Sequence, residues 1–244
     1  MLFADIADAI REKTGETDSI VADDFPDVIR ERLQVIPLLP YLIFSSPSSF
    51  TLKVNDTTKH WDGTLEYSTD ASTWSTWDGT TTLSSATSGS KNVIYIRGTG
   101  NTVITGNSSN YKWLLTGSDI SCIGNIENLL DYTTVKSWAH PTMASNCYNS
   151  MFQGCTSLTQ APALSAITLA AYCYYSMFSK CSKIKLSSTQ TGEYTVTYRI
   201  PSSGTGTTAK NALTNMFTDT GGTFTGTPSI NTTYYLSNTN SIVS

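Results

Sequence analysis

Charge is scarce in this chain. Only 14% of its 244 residues are Asp, Glu, Lys or Arg, against roughly a quarter in an ordinary soluble domain. The net charge of −4 gives no basic footprint, so nucleic acid is not an expected partner. No apolar run approaches the ~20 residues of a membrane-spanning helix. The nearest, "VIPLLPYLIF" at 35–44, is short and broken by Pro37 and Pro40, so no membrane insertion is expected. The opening "MLFADIADAIREKTG" lacks the basic start and long apolar stretch of a secretory signal. Paired acids are also lacking. From 121 onward only Glu127, Asp131, Glu193 and Asp219 occur, whereas glycoside hydrolysis uses two facing carboxylates. Asp56, Asp62, Glu66, Asp70 and Asp78 mostly look like turn residues. No catalytic residue and no cofactor is assigned, and the chain reads as non-enzymatic.

Hydroxyls are abundant instead: Ser and Thr make up roughly 29% of the residues, a strong departure from average usage. With 39% hydrophobic residues the chain is too apolar for disorder. The combination matches extracellular, β-rich, adhesive proteins.

Three regions differ in pattern. Residues 1–35 read as a helical segment, expected to serve attachment or oligomerisation. Of the chain's 34 charged residues, 13 lie within 1–33. Phe3, Ile6 and Ile10 share one helical face. A second helix is expected near "DDFPDVIRERL", with Asp23 or Asp24 as cap and Pro26 in its first turn. Two helices this short are marginal alone. They need a partner surface, either the chain's own next domain or other copies. Residues 36–118 form a small antiparallel β-sandwich. Here "SFTLKV", "GTLEYS", "STWSTW", "NVIYIRG", "NTVITG" and "YKWLLTG" alternate or run apolar between turn clusters. Trp61, Trp74, Trp77 and Trp113 lie in this region. They read as core or, if exposed, as platforms for sugar rings.

Residues 119–244 carry a repeat. "NCYNSMFQGC" at 146–155 returns in "AYCYYSMFSKC" at 171–181, and Cys147/Cys173 and Cys155/Cys181 share a shift of 26 residues. A degenerate third copy, "NALTNMF" at 211–217, follows after an insertion. That insertion lies in "TQTGEYTVTYRIPSSGTGTT", which reads as a hairpin or projecting loop. The period falls in the leucine-rich-repeat range of ~20–29 residues. Cys147, Met151 and Cys155 stand at i, i+4 and i+8, which predicts one face of a short helix.

The cysteines invite a chemical reading, but their spacing opposes it. Zinc ligands come in pairs two to four residues apart, and no His lies inside the repeats, His140 being the nearest. No metal is expected. A disulfide within one helical copy would span ~12 Å, well beyond the usual separation. Stacked helices would hold equivalent cysteines ~8–10 Å apart. A catalytic thiol would need a base that the repeats do not offer. The reading is buried packing.

"CYNSMFQGCTSLTQAPALSAITLAAYCYYSMFSKC" closely resembles the BspA-like leucine-rich repeat family of gut and oral bacteria and their prophages. The match covers about 140–186, with Ser165-Ala166 in place of the usual Pro-Ala and Lys180 in place of a Gly. "IADAIREKTGETDSIVADDFPDVIRERL" resembles a helical motif in tail-associated proteins of phages of gut Gram-positive bacteria. The expected fold is α+β: a helical hairpin, a small β-sandwich, then a leucine-rich-repeat-like α/β solenoid with a terminal cap.

The resemblance implies a phage tail fibre or receptor-binding subunit that recognises a bacterial cell-surface glycan or protein. It would be located on the virion, assembled in the cytoplasm and released by lysis. Residues 1–35 would contact other tail or baseplate subunits, in a homo-oligomer with a trimer favoured. The alternative is a bacterial cell-surface adhesin binding host matrix proteins. In leucine-rich repeats the strand face is the usual contact surface, which makes Thr159, Gln160, Lys183 and Lys185 the ligand-binding candidates. Ordinary solvated positions are the other reading of these four.

Overall fold

The computed structural model describes residues 39–56 and 58–238. The helical hairpin expected within 1–35 lies outside the described residues. The strands of the first part are β1 (Leu42–Ser46), β2 (Thr51–Val54), β3 (Thr64–Ser68), β4 (Ser75–Trp77), β5 (Leu83–Ser84), β6 (Ala86–Ser88), β7 (Lys91–Thr99), β8 (Trp113–Thr116) and β9 (Ile120–Ile123). After helix α1 (Asn128–Lys136) come β10 (Leu158–Gln160), β11 (Thr168–Leu169), β12 (Lys185–Ser187), β13 (Tyr194–Arg199), β14 (Thr207–Thr208), β15 (Gly221–Gly222) and β16 (Thr233–Ser237).

Alternation builds the first layer. In β7, Ile94 and Ile96 point inward and are fully buried, while Tyr95 and Arg97 face outward. β7 is central: β1 pairs on one side and β3 on the other, with β6 on its first residues. The resulting seven-stranded sheet runs β10-β9-β1-β7-β3-β4. A three-stranded sheet, β5-β2-β8, packs on it through Phe44 and Trp113, whose ring centres are 6.3 Å apart.

The expected α/β solenoid is corrected. Among the described residues there is one α-helix against sixteen strands, so the fold is mostly β with several sheets rather than α+β. The repeat copies are not helical. Asn146, Ser150 and Gly154 all have positive φ, as do Tyr172, Ser176 and Lys180, then Asn211, Asn215 and Asp219. One residue in four is thus left-handed, which no α-helix tolerates.

Each copy is a run of tight turns whose amide groups alternate in use. The amides of Asn149, Met151, Gln153 and Cys155 donate three residues back within the copy. Those of Asn146, Tyr148, Ser150, Phe152 and Gly154 donate to Ala171, Cys173, Tyr175, Met177 and Ser179 of the next copy. Tyr172, Tyr174, Ser176, Phe178 and Lys180 donate in the same way to Lys210, Ala212, Thr214, Met216 and Thr218.

The copies are therefore rungs of a ladder, and their side chains stack at ladder spacing. Phe152 lies 5.6 Å from Phe178, and Phe178 5.5 Å from Phe217, each pair inclined by only 9°. Packed helices would hold them ~8–10 Å apart. A four-residue turn repeat and a 3.6-residue helix both place i, i+4 and i+8 on one face, which is why the pattern misleads.

The described residues from Pro40 onward form one compact unit, and the sequence boundary at 118/119 falls inside it. The amides of Ile104 and Trp113 donate to Cys147 and Met151 of the first rung, so the strand region caps the ladder's open carbonyls. A chain of ring contacts crosses the junction, from Trp61 through Trp77, Trp113 and Phe152 to Phe178 and Phe217. All five cysteines are free and buried. Cys181 Sγ donates to the Phe152 carbonyl at 2.9 Å and Cys155 Sγ to that of Trp113 at 3.2 Å. Within the insertion, β13 pairs not with a hairpin neighbour but with β16.

Helix α1 is seated on β7 by a missing side chain. A Cβ on Gly98 would meet the Leu129 carbonyl at 1.8 Å. Asn101 then bridges helix to sheet, its Nδ2 donating to Leu129 and Thr64 carbonyls at 2.9 and 2.8 Å. At mid-helix Asp131 leaves helical geometry and its Oδ1 accepts from the amides of Thr133 and Thr134, restarting the turn.

Candidate functional site

The four strand-face residues do not share a sheet. Thr159 and Gln160 lie on β10 in the seven-stranded sheet, and Lys185 on β12 in a four-stranded sheet ordered β13-β16-β12-β15. Lys183 lies just before β12. The Thr159 hydroxyl donates to the Ile120 carbonyl at 3.1 Å, and Lys183 forms an ion pair with Asp119 at 2.9 Å. Gln160 and Lys185 are half-buried. The counterparts β10 and β12 separate because the inter-rung ladder ends at Gly154 and Ser179. Beyond that point, β10 runs parallel to β9.

The tryptophans divide. Trp61, Trp77 and Trp113 are core, whereas Trp74 is half-buried and belongs to an aromatic cluster on the outer side of the seven-stranded sheet. The register places Glu66 opposite Arg97, and Arg97 Nε donates to Glu66 Oε2 at 2.8 Å. The guanidinium lies 3.9 Å from the Trp74 ring centre and 4.5 Å from that of Tyr132 on α1. Tyr41 touches both Trp74 and Tyr95, with centres 5.6 and 5.2 Å apart. Burial raises the Tyr41 hydroxyl's pKa, with the Tyr95 hydroxyl adding to it. Tyr41, Trp74, Tyr95, Arg97 and Tyr132 therefore present a continuous half-exposed surface, held by strand register and the docking of α1. Sequence alternation marks Tyr95 and Arg97 as outward-facing. Tyr41 and Tyr132 join them only through tertiary contacts.

A second polar feature lies at the start of α1. The Glu127 side chain is 1% exposed and accepts from His140 Nδ1 at 2.9 and 3.1 Å. Its Oε2 also accepts from Ser165 Oγ at 2.5 Å. Serine and imidazole both meet the acid rather than each other, so this is not the relay by which a base activates a serine nucleophile. No short motif announces the group, since its members are 13 and 38 residues apart.

The thiols of Cys122, Cys147 and Cys181 are pushed well above their usual range by burial, Cys155 to about 11 and Cys173 to about 12 for the same reason. Such thiols are inert at neutral pH. Among the described residues, no group of three or more His, Cys, Asp or Glu is placed to hold a metal, and no helix is long and apolar enough to cross a membrane. Compared with family models, curated proteins and solved structures, the chain matches none.

Proposed function

We propose that this chain is a non-enzymatic binding protein of a virion, a phage tail fibre or receptor-binding subunit that recognises a bacterial cell-surface glycan or protein. The observation that supports it is the outward surface of Tyr41, Trp74, Tyr95, Arg97 and Tyr132. Trp, Tyr and Arg are the residues that dominate binding energy at protein surfaces. Here they are already ordered, so little entropy is lost on contact. Arg97 lies against the rings of Trp74 and Tyr132 and is fixed by Glu66, which pre-organises its remaining donors. The resemblance of 140–186 to BspA-like repeats and of 6–33 to a helical motif of tail-associated proteins agrees with this reading. On it, residues 1–35 attach the chain to other tail subunits in a trimer.

Fluorescently labelled protein should bind intact cells of at least one gut Gram-positive strain. Trp74→Ala should weaken that binding about tenfold, equivalent to about 1.4 kcal/mol. No binding across a broad strain panel would sink the reading. Undiminished binding by Trp74→Ala would remove the aromatic surface from it.

A further inference from the structure

Beside Glu127 lies a partly open pocket of about 370 Å³. His140, Thr142 and Thr168 supply its polar groups, and Met143, Ile167 and Ala170 its apolar wall. Ile167 is 41% exposed, unusual for so large an apolar side chain here. The His140 side chain is 38% exposed. An apolar pocket with a few convergent polar groups is the ordinary form of a small-ligand site.

The polar groups are oriented for a particular chemistry. Glu127 accepts from His140 Nδ1, so that ring nitrogen carries a proton. Nε2 lies on the far side of the ring, where no described residue bonds to it. The carboxylate is satisfied by His140 and Ser165, so it does not call for a cationic ligand, and its charge opposes an anionic one. A neutral ligand is left. It needs a hydrogen-bonding group for Nε2, another for the Thr142 or Thr168 hydroxyl, and a compact apolar group for Ile167, Met143 and Ala170.

We propose that this cavity binds the acetamido group of an N-acetylated amino sugar. An acetamido group combines an N–H donor, a carbonyl acceptor and a methyl within four heavy atoms. The remaining space suits one saccharide ring rather than an element of folded protein. The assignment deepens the surface-binding reading and rests on it only for the source of the sugar. The binding surface around Trp74 plays no part in it. Ser165 fits the same picture, since its hydroxyl holds Glu127 in place.

The test is titration of the full chain, followed by the methyl NMR signals of Met143 and Ile167. The probes are N-acetylglucosamine, glucose and N-acetylalanine methylamide. N-acetylglucosamine should shift both signals saturably, and glucose should bind at least tenfold more weakly. His140→Phe should lower affinity for N-acetylglucosamine about tenfold. Because that change also disturbs Glu127, Thr168→Val, which leaves Glu127 untouched, should weaken binding as well, with native spectra retained. Absence of a saturable shift overturns the proposal. So does equal binding of glucose, or undiminished binding by both variants. N-acetylalanine methylamide binding as tightly as the sugar would assign the cavity to acylated peptide and likewise overturn it. Since the probe is a free sugar, this outcome is independent of whether the protein binds cells.

Discussion

Lys180→Gly should stabilise this protein, a sign opposite to the one a helical repeat would give. Lys180 has φ +64°, and the equivalent residues of the other rungs, Gly154 and Asp219, have φ +79° and +58°. The left-handed region costs a residue with a side chain roughly 1–2 kcal/mol. Glycine escapes that cost but loses about 0.4–1 kcal/mol through its freer unfolded state. The Lys180 side chain is exposed, and its backbone amide bond to the Thr218 carbonyl, at 2.8 Å, survives the substitution. The net expectation is a gain of about 0.5–1 kcal/mol. At ~2–4 °C per kcal/mol for a chain of this size, the melting temperature should rise by ~1–4 °C.

In a helix interior the same change would cost about 1 kcal/mol. Urea unfolding under reducing conditions, paired with calorimetry, measures the difference. The reverse change, Gly154→Lys, adds a Cβ that meets nothing within 4 Å, so backbone strain less the unfolded-state term sets its expected net loss at about 0.5–1 kcal/mol. Destabilisation of about 1 kcal/mol by Lys180→Gly would refute the turn-ladder account.

Phe178→Ala should cost ~3–5 kcal/mol in urea unfolding, because Phe178 is fully buried between two stacked rings; a loss below ~1 kcal/mol would contradict the shared column. Gly98→Ala should cost about 1–3 kcal/mol and loosen α1, read as faster amide exchange at Leu129 and Leu130, since its Cβ has no room beside the Leu129 carbonyl. Stability should also fall in alkali. Unfolded thiols ionise near 9.0, whereas Cys155 holds its proton to about 11 and Cys173 to about 12. Over that window the folded state binds more protons, so each thiol contributes a fall of up to about 1.4 kcal/mol per pH unit. Melting temperature against pH checks it, and Cys173→Ala should flatten the slope.

Much of the strand region is legible in the chain. Alternation in "NVIYIRG", "GTLEYS" and "YKWLLTG" coincides with β7, β3 and β8, because one face of each strand must be buried and the other not. "NTVITG" also alternates, yet 101–106 forms no strand. Its amides and side chains instead serve the first rung, Ile104 and Thr105 reaching Cys147. The repeat was visible as a period of shared residues, and the burial of Cys147, Met151, Phe152 and Cys155 follows from it. Its backbone was not visible. Side-chain periodicity reports which residues share a face, and a ladder of four-residue turns shares the same faces as a helix. Asn146, Asn211 and Asn215 were a local hint, since Asn tolerates positive φ.

The candidate sites were the least legible part. Thr159 and Lys185 look equivalent within a 26-residue period but belong to different sheets. Glu127, His140 and Ser165 carry no motif and meet only through the packing of α1 against the first repeat's return segment. By itself the sequence determined composition-level properties: a hydroxyl-rich, weakly charged surface, alternating strands, a tandem repeat and cysteines without chemical spacing. These are local or periodic, so residue type and separation suffice. Tertiary structure decided the rest. Turn ladder against helix depends on amides that bond 25 to 38 residues away. The aromatic surface and the Glu127 cavity depend on side chains converging from different elements, a distance that no one-dimensional pattern records.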